Sequence, residues 1–189
     1  LVGDYPAVMG FDLGGIEVGD LKNLDSVPFS RIRQEIIAHH ERGGIITISW
    51  HPRNSLLGTT AWIESDIAAY KDAVKALCQL RQCQTAKAVP NPQHTVKSVL
   101  KGGNHHDLYM TWLERVRTFL SSLKDNHGNA IPIVFRPYHE NNGNWFWWGQ
   151  ANCTDAEYHA IWNMTQDYIN ATLGESIVWS YSPNLQGNW

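Results

Sequence analysis

The sequence has no long apolar run and no block of basic residues, and each absence excludes a class of protein. No stretch approaches the roughly 20 consecutive apolar residues that a membrane-spanning helix needs, so we expect no membrane span. The 15 Lys and Arg residues are outnumbered by 18 Asp and Glu residues and form no cluster, which argues against nucleic acid as a partner. The remaining composition, 43% hydrophobic and 17% charged over 189 residues, is that of one globular domain with a substantial core.

Signals for metals and cofactors are also missing. The three cysteines, Cys78, Cys83 and Cys153, lack the spacing of a zinc site, and an odd number cannot pair completely. Cys78 and Cys83 can form a bridge or stay as thiols, and the sequence leaves both open. No His or Asp cluster has metal-ligand spacing, no Gly-rich phosphate loop follows the first apolar run, and no Gly-x-Ser-x-Gly motif is present. We expect neither a metal nor a cofactor.

Aromatic residues, in contrast, are abundant. Nine Trp, seven Tyr and five Phe make up 11% of the chain. A Trp-rich core is the ordinary interpretation of such a composition, and a surface on which sugar rings or bases stack is the alternative. Because the formal net charge is −3, we favour sugars over nucleic-acid bases as the stacking partner.

Four apolar runs bounded by turn signals predict buried strands. They are Pro6 to Asp12, Ile45 to His51, Ile131 to Glu140 and Ile177 to Asn184. Between them, apolar stripes at helical spacing predict amphipathic helices, one of which begins at a capping box formed by Thr154 and Glu157. Continuous apolar strands that alternate with helices are typical of a parallel sheet in an α/β fold.

The predicted strands end in polar residues. Asp12, His51, Glu140 and Asn184 each close an apolar run, at the end where a parallel barrel or sheet places its ligand site. Successive side chains of a strand point to opposite faces. Ser49 and His51 are therefore expected on one face of their strand, and Arg136, Tyr138 and Glu140 on one face of theirs. A polar interior near the strand ends favours a (β/α)8 TIM barrel. Such a barrel has twice as many strands and about 250 residues. We therefore expect residues 1–189 to form the central part of a single catalytic barrel whose two flanks are missing.

The stretch IPIVFRPYHENNGNWFWWG, residues 131–149, carries the strongest chemical signal. Glu140 follows a buried strand directly, with His139 beside it, and Trp145 to Trp148 come next. A carboxyl group in front of a tryptophan platform is what a glycosidase requires to protonate the departing sugar oxygen. Glu140 taken alone would be read as a surface or salt-bridged residue. The arrival of His51 and Asp12 at the same strand ends makes the catalytic interpretation the stronger one.

FRPYHENNGNWFWWG resembles the acid/base strand of glycoside hydrolase family 26, the β-mannanase family. The segments GDYPAVMGFDLGG, ITISWHPRNSLLGTTAW and IVWSYSPN match in the family's order, so the likeness covers nearly the whole chain. The Arg-x-x-His-Glu element followed by Trp-Phe-Trp-Trp is its most specific part.

The resemblance implies a (β/α)8 barrel of which the chain covers roughly strands two to five. It also implies retaining cleavage of β-1,4-mannosidic bonds in mannan, galactomannan or glucomannan, with Glu140 as acid/base. Arg136 would orient the nucleophile, the two histidines would hydrogen-bond around the cleaved sugar, and Trp145 would form its platform. The implied substrate-binding residues are His51, Trp62, Arg136, His139, Trp145 and Trp148.

The family's nucleophile is a Glu on the seventh strand, for which this chain offers no match. Glu157 and Glu175 lie on or beside predicted helices, remote from the strand ends. We therefore expect the isolated chain to be inactive and the remainder of the barrel to be its partner as a separate segment. Its other expected partners are mannan or manno-oligosaccharides, and because this polymer is met outside the cytoplasm, the expected location is secreted, periplasmic or on the cell surface.

Three other interpretations stay open. The same scaffold can act on another β-glycan, such as xylan or mixed-linkage glucan, because pocket contacts and not the fold select the sugar. A non-catalytic carbohydrate-binding barrel is the second. The third is an aromatic-rich structural domain, which predicts buried Trp145, Trp147 and Trp148 and a Glu140 held in a salt bridge.

Overall fold

A computed structural model describes residues 3–80 and 82–185 of the chain. Strands and helices alternate along most of this part, as the sequence predicts. The elements in chain order are β1 (Val8–Asp12), α1 (Phe29–Glu41), β2 (Ile45–Trp50), α2 (Glu64–Gln79), α3 (Cys83–Ala86), α4 (Thr95–Val99), α5 (His106–Ser121), β3 (Ile133–Pro137), α6 (Asp155–Leu173) and β4 (Ile177–Trp179). Short 3-10 turns lie at Ile16–Val18, Pro92–His94 and Gly174–Ser176.

The four strands form one parallel sheet in the order β1-β2-β3-β4. Each strand therefore pairs with its neighbour in the sequence, and each connection between paired strands contains at least one helix. This arrangement confirms the predicted parallel α/β class. In the described ranges, no helix is both long enough and apolar enough to cross a membrane.

The chain divides into two compact units. The first contains residues 3–52, 110–139 and 165–182, and therefore the whole sheet. In β2 every second side chain, Ile46, Ile48 and Trp50, is almost completely buried, whereas Thr47 and Ser49 between them are half-buried. Burial on alternate positions is the expected result of a strand with an apolar face against helices and a polar face on the other side.

The third strand ends earlier than the sequence predicts. It stops at Pro137, and both Tyr138 (φ 49°) and Glu140 (φ 55°) have left-handed backbone conformations, which non-glycine residues rarely adopt. Alternation therefore breaks after Pro137. Tyr138, which we expected on the face of Arg136, is instead fully buried and its hydroxyl lies 2.8 Å from Thr165 Oγ1 in α6. The prediction for Tyr138 was wrong because the extended backbone does not continue to residue 140.

The second unit contains residues 53–80, 82–109, 140–164 and 183–185. Two of its loops are joined through backbone hydrogen bonds, from Ile63 N to Trp145 O (2.8 Å) and from Trp147 N to Ala61 O (3.1 Å). The predicted capping box is present, because Glu157 N donates to Thr154 Oγ1 (3.2 Å) and Thr154 N donates to a Glu157 carboxylate oxygen (2.9 Å). The loop after residue 140 is thus held by main-chain contacts at one end and leads into a capped helix at the other.

Candidate active site

A row of polar side chains crosses the sheet at the ends of its strands. The register pairs Asp12 of β1 with Ser49 of β2, and Ser49 with Arg136 of β3. Adjacent strands in a sheet are about 4.8 Å apart, so the register alone brings these three residues together. With His51 and His139, which follow β2 and β3, they form what we call the strand-end cluster.

Asp12 is the best-connected member of the strand-end cluster. Its carboxylate accepts hydrogen bonds from Gly14 N and Ser49 Oγ, both at 2.7 Å, and lies 2.6 Å from His51 Nδ1. The backbone approaches closely at Gly14, where a Cβ atom would lie 2.9 Å from Asp12 Oδ1, so only glycine allows this geometry. Asp12 is therefore held in one orientation, with one carboxylate oxygen directed at the imidazole of His51.

The two histidines of this cluster are in contact through their Nε2 atoms, which are 3.1 Å apart. Only one of these nitrogens carries the shared proton. The pKa of His139 is lowered to about 3, mainly by burial and also by the nearby charges of His51 and Arg136, against a weaker opposing effect of Asp12. His139 is therefore neutral at neutral pH, which makes it a hydrogen-bonding partner of His51 and not a source of positive charge.

Arg136 lies in the same cluster. Its Nη1 donates a hydrogen bond to Ser182 Oγ (3.3 Å), which follows β4. The guanidinium is half-buried, so part of it stays accessible at the strand ends. Arginine presents several N–H groups in a fixed plane and is suited to hold a carboxylate.

Glu140 is positioned by the loop that follows it. Its Oε2 accepts a hydrogen bond from Trp145 Nε1 (3.1 Å), and its carbonyl oxygen accepts one from Gly143 N (2.9 Å), which closes a tight turn. A Cβ atom on Gly143 would lie 2.3 Å from the ring of Trp145, so the absence of a side chain there allows the indole to fold back over the turn. The side chain of Glu140 is half-buried.

Aromatic rings next to Glu140 in the second unit complete what we call the loop cluster, Glu140, Trp145, Phe146, Trp148 and Trp62. Trp62 is 42% exposed and its ring centroid is 5.3 Å from that of Phe146. Phe146 in turn stacks on Trp148, with centroids 4.5 Å apart and planes inclined by 17°. The rings thus form a layered wall with Trp62 and the half-buried Trp145 at its surface.

The assignment of Trp148 to the substrate-binding residues has to be corrected. Its side chain is completely buried, as is that of Trp147, and the two rings contact each other edge to face at 5.2 Å. No part of Trp148 is left for a sugar to stack on. Its place is beneath Phe146, where it supports the exposed rings. The structural-domain interpretation also expected a buried Trp145, but that ring is half-buried, and Glu140 is bonded to an indole N–H.

Sequence reasoning missed two residues that shape the site. Asp12 was noticed at a strand end but left out of the predicted site, although an acidic residue in register with a polar neighbouring strand is a usable signal. Asn142 was not noticed at all. It exchanges two hydrogen bonds of 2.7 Å with the backbone of Asn184 and so fixes the loop after Glu140. An Asn directly before a Gly indicates a turn, but the distant partner of Asn142 cannot be recognised in the sequence.

The two clusters are continuous along the chain, because His139 and Glu140 are consecutive residues. Within residues 3–80 and 82–185, no group of three or more His, Cys, Asp or Glu side chains has the arrangement of a metal site. The strand-end cluster therefore offers two paired imidazoles and a guanidinium, and the loop cluster offers a carboxyl group and exposed indoles. These are the groups needed for acid/base chemistry on a neutral, ring-shaped ligand.

A parallel α/β sheet with ionisable residues at the carboxyl ends of its strands, and a carboxylate hydrogen-bonded to a half-exposed tryptophan, defines a protein of the barrel glycoside hydrolase class. Comparison with known proteins identifies the family. The chain belongs to glycosyl hydrolase family 26, whose family model matches residues 1–188.

Relatives and solved structures agree with this assignment. A mannan endo-1,4-beta-mannosidase of Bifidobacterium adolescentis is 28% identical over 96% of this chain, and one of Bacillus subtilis is 27% identical over the same share. A GH26 β-mannanase from Bacteroides ovatus superposes with a TM-score of 0.81 at 38% identity over 98% of this chain. The endo-β-1,4-mannanase of Cellulomonas fimi superposes with a TM-score of 0.72 at 28% identity.

The chain spans only part of the length of these proteins. It covers 16% of the Bifidobacterium relative, 45% of the Bacillus relative and 46% of the Bacteroides structure. The predicted fold class is confirmed: the parallel sheet is part of a (β/α)8 barrel, and the four strands correspond to a portion of it.

Proposed function

We propose that this chain is the central part of a retaining mannan endo-1,4-β-mannosidase in which Glu140 is the acid/base. The observation that carries the proposal is the hydrogen bond from Trp145 Nε1 to Glu140 Oε2 (3.1 Å). It joins a carboxyl group to a half-exposed indole in one rigid turn, so that proton transfer and sugar stacking occur at the same place. The names of the relatives, which are mannan endo-1,4-beta-mannosidases, support the choice of substrate.

In this mechanism Glu140 first protonates the glycosidic oxygen as it leaves and then, as carboxylate, removes a proton from the incoming water. One oxygen of Glu140 is held by the indole, and the other is left for these transfers. The backbone at Glu140 is left-handed, so its side chain does not continue the alternating pattern of β3. Strained backbone of this kind occurs often at functional residues.

A retaining enzyme also needs a carboxylate nucleophile about 5 to 5.5 Å from the acid/base. Asp12 is a poor candidate, because its carboxylate already accepts bonds from Gly14, Ser49 and His51. Glu17 is a poor candidate as well: it is completely buried and accepts bonds from Trp50 Nε1 and Gly15 N. We propose that the nucleophile comes from the rest of the barrel and that the 189-residue chain alone is inactive.

The strand-end cluster is proposed to bind the cleaved sugar and to orient the nucleophile. Arg136 is suited to the second task because of its planar set of donors. His51 has 17% of its side chain exposed and is proposed to contact a sugar hydroxyl directly. His139 is 3% exposed and is proposed to act through His51, and Asp12 is proposed to act as a positioning residue from the other side of the same imidazole.

The substrate-facing rings are proposed to be Trp145 and Trp62. Both have exposed indole surface in the second unit, and a flat apolar ring complements the face of a pyranose. The proposed ligands are β-1,4-mannan and manno-oligosaccharides. Because such polymers are met outside the cytoplasm, we propose a secreted, periplasmic or cell-surface location.

The test is the depolymerisation of purified polysaccharides by the full-length protein, measured as reducing-sugar release from β-1,4-mannan, xylan and mixed-linkage glucan in parallel. We expect mannan to be cleaved far faster than the other two. Proton NMR of the first product should show the β-anomer, as retention requires. Faster cleavage of xylan or glucan would reject mannan as the substrate, α-product would reject retention, and binding of mannan without turnover would support a non-catalytic barrel.

A further inference from the structure

Two exposed cysteines meet at the junction of α2 and α3, outside both clusters described above. Cys78 lies in the last turn of α2, and Cys83 is the first residue of α3. Gln82 N donates to Leu77 O (2.8 Å), which turns the chain back across the end of α2. As a result Cys83 Sγ lies 4.0 Å from the carbonyl oxygen of Cys78.

The two thiols also interact with each other. A hydrogen bond with the Cys83 thiol raises the pKa of Cys78, and partial burial and the charge of Cys83 act in the same direction. The side chains of helix α2 are half-buried or exposed, and a covalent link to α3 would restrict the end of this helix.

The third cysteine provides an internal contrast. Cys153 is only partly exposed, its Sγ donates towards the carbonyl oxygens of Trp148 (3.4 Å) and Gly149 (3.6 Å), and burial together with Glu157 and Asp155 raises its pKa to about 12. Thiolate, and not thiol, attacks a disulfide. Cys153 is therefore expected to be inert under conditions in which an exposed thiol reacts.

We propose that Cys78 and Cys83 form a reversible disulfide that fastens the end of α2 to the start of α3. The oxidant is a small-molecule disulfide such as oxidised glutathione. One thiolate attacks it, forms a mixed disulfide and releases one thiolate of the oxidant. The second cysteine then attacks the protein-bound sulfur, forms the Cys78 to Cys83 S–S bond and releases the second thiolate. The protein loses two electrons and two protons, and the oxidant gains the two electrons.

The bond can be observed directly, because a trypsin site at residue 81 lies between the two cysteines. After equilibration of the native full-length protein with reduced and oxidised glutathione, remaining thiols are alkylated and the protein is digested under non-reducing conditions. The disulfide then joins peptides 76–81 and 82–87 into one species, lighter by about 2 Da than their sum. We expect this species to dominate at high ratios of oxidised glutathione and to disappear on reduction.

Residues so close in sequence can also pair in an unfolded chain, so the equilibrium has to be compared in native buffer and in urea. We expect the effective concentration of the pair to be at least about tenfold higher in the folded protein, because the fold holds Cys83 Sγ 4.0 Å from the carbonyl oxygen of Cys78. The variant Cys153→Ser should leave the linked peptides unchanged, and Cys78→Ser should abolish them. Equal effective concentrations in the two conditions, or no linked species in native buffer, would overturn the proposal.

Discussion

The strand-end cluster and the loop cluster are held in place by different physical means. In the first, sheet register aligns Asp12, Ser49 and Arg136, and repeated backbone hydrogen bonds determine that register. In the second, a single turn with a left-handed Glu140 and a crowded Gly143 directs the carboxylate to Trp145. A row of side chains across a sheet tolerates the loss of one contact, because the neighbouring strands keep the backbone in place. A turn has no neighbouring strands to hold its backbone, so its geometry depends on each of its residues.

Glu140→Gln is expected to have the largest effect. It removes the proton donor while keeping the size of the side chain and an acceptor for Trp145 Nε1. General acid/base groups contribute about 10²- to 10⁴-fold, so kcat on mannan should fall by about 10³-fold in the full-length protein. The matched control is Glu175→Gln, an exposed carboxylate near the end of α6 whose loss should leave kcat unchanged. If both variants kept full activity, the acid/base would have to be sought elsewhere.

Azide adds a second readout for Glu140→Gln. With an aryl mannoside whose leaving group needs no protonation, the glycosyl intermediate forms but lacks a base for its hydrolysis. Azide ion needs no base and should restore turnover, with a β-mannosyl azide as product. Loss of activity without azide rescue would point to misfolding or to a different role for the residue.

Asp12→Asn tests whether the strand-end cluster depends on one carboxylate. The amide keeps the shape of the side chain but removes the negative charge next to His51 Nδ1. We expect kcat/KM to fall by about 10- to 100-fold, by analogy with the loss of a partner that orients a metal-bound histidine. The pH dependence of kcat/KM should also change, because the substitution removes a charge that lies 2.6 Å from the His51 imidazole.

The control for this variant is Asp25→Asn, on an exposed loop of the same unit. A purely structural role for Asp12 would lower the free energy of unfolding and leave the pH profile of the folded enzyme unchanged. That result would remove Asp12 from the functional site.

Trp145→Phe separates the two tasks of the indole. Phenylalanine keeps a flat ring but lacks the N–H that binds Glu140 Oε2. Since hydrogen bonds to charged groups contribute about 1.5 to 3 kcal/mol, kcat should fall by roughly tenfold or more with little change in KM. Trp62→Ala removes exposed ring surface in the same cluster and should mainly raise KM. Equal effects of both variants on KM alone would show that Trp145 is only a platform.

His139→Gln should have the smallest effect on rate, because His139 is proposed to act only through His51, and a clearer effect on how stability depends on pH. The pKa of His139 is lowered from 6.5 to about 3, so between these pH values the unfolded chain binds a proton that the folded chain does not. Folding stability should therefore decrease as the pH falls through this window, by at most about 1.4 kcal/mol per pH unit from this residue. Asp12, His51 and Arg136 are the charged groups that face it.

The glutamine variant should show a flatter pH dependence of the free energy of unfolding, measured by urea denaturation at pH 7, 5 and 4. His127→Gln, in an exposed loop, is the matched control and should keep the wild-type slope. An identical slope in His139→Gln and wild type would mean that His139 is protonated in the folded protein.

Much of the strand-end cluster could be predicted from the sequence, and much less of the loop cluster. Ser49 and Arg136 follow from apolar alternation, and their alignment with Asp12 follows from parallel pairing. Alternation depends only on residues close in the sequence, and parallel pairing depends on the backbone. The burial of Trp148 does not follow from such rules, because four consecutive aromatic residues have no periodicity that separates an inner from an outer ring. Only contacts with distant residues distinguish them.

The sequence by itself determined the class of fold, the family and the identity of the chemical groups. These signals are patterns of residues that lie close together in the sequence, so they can be recognised without the structure. They are the apolar strands, the capping box and the Arg-x-x-His-Glu element. The tertiary structure alone decided that β3 stops at Pro137, that Asp12 holds His51, and that Trp145 reaches the Glu140 carboxylate while Trp148 is buried. Each of these depends on which distant groups pack together, and packing is a property of the folded chain as a whole.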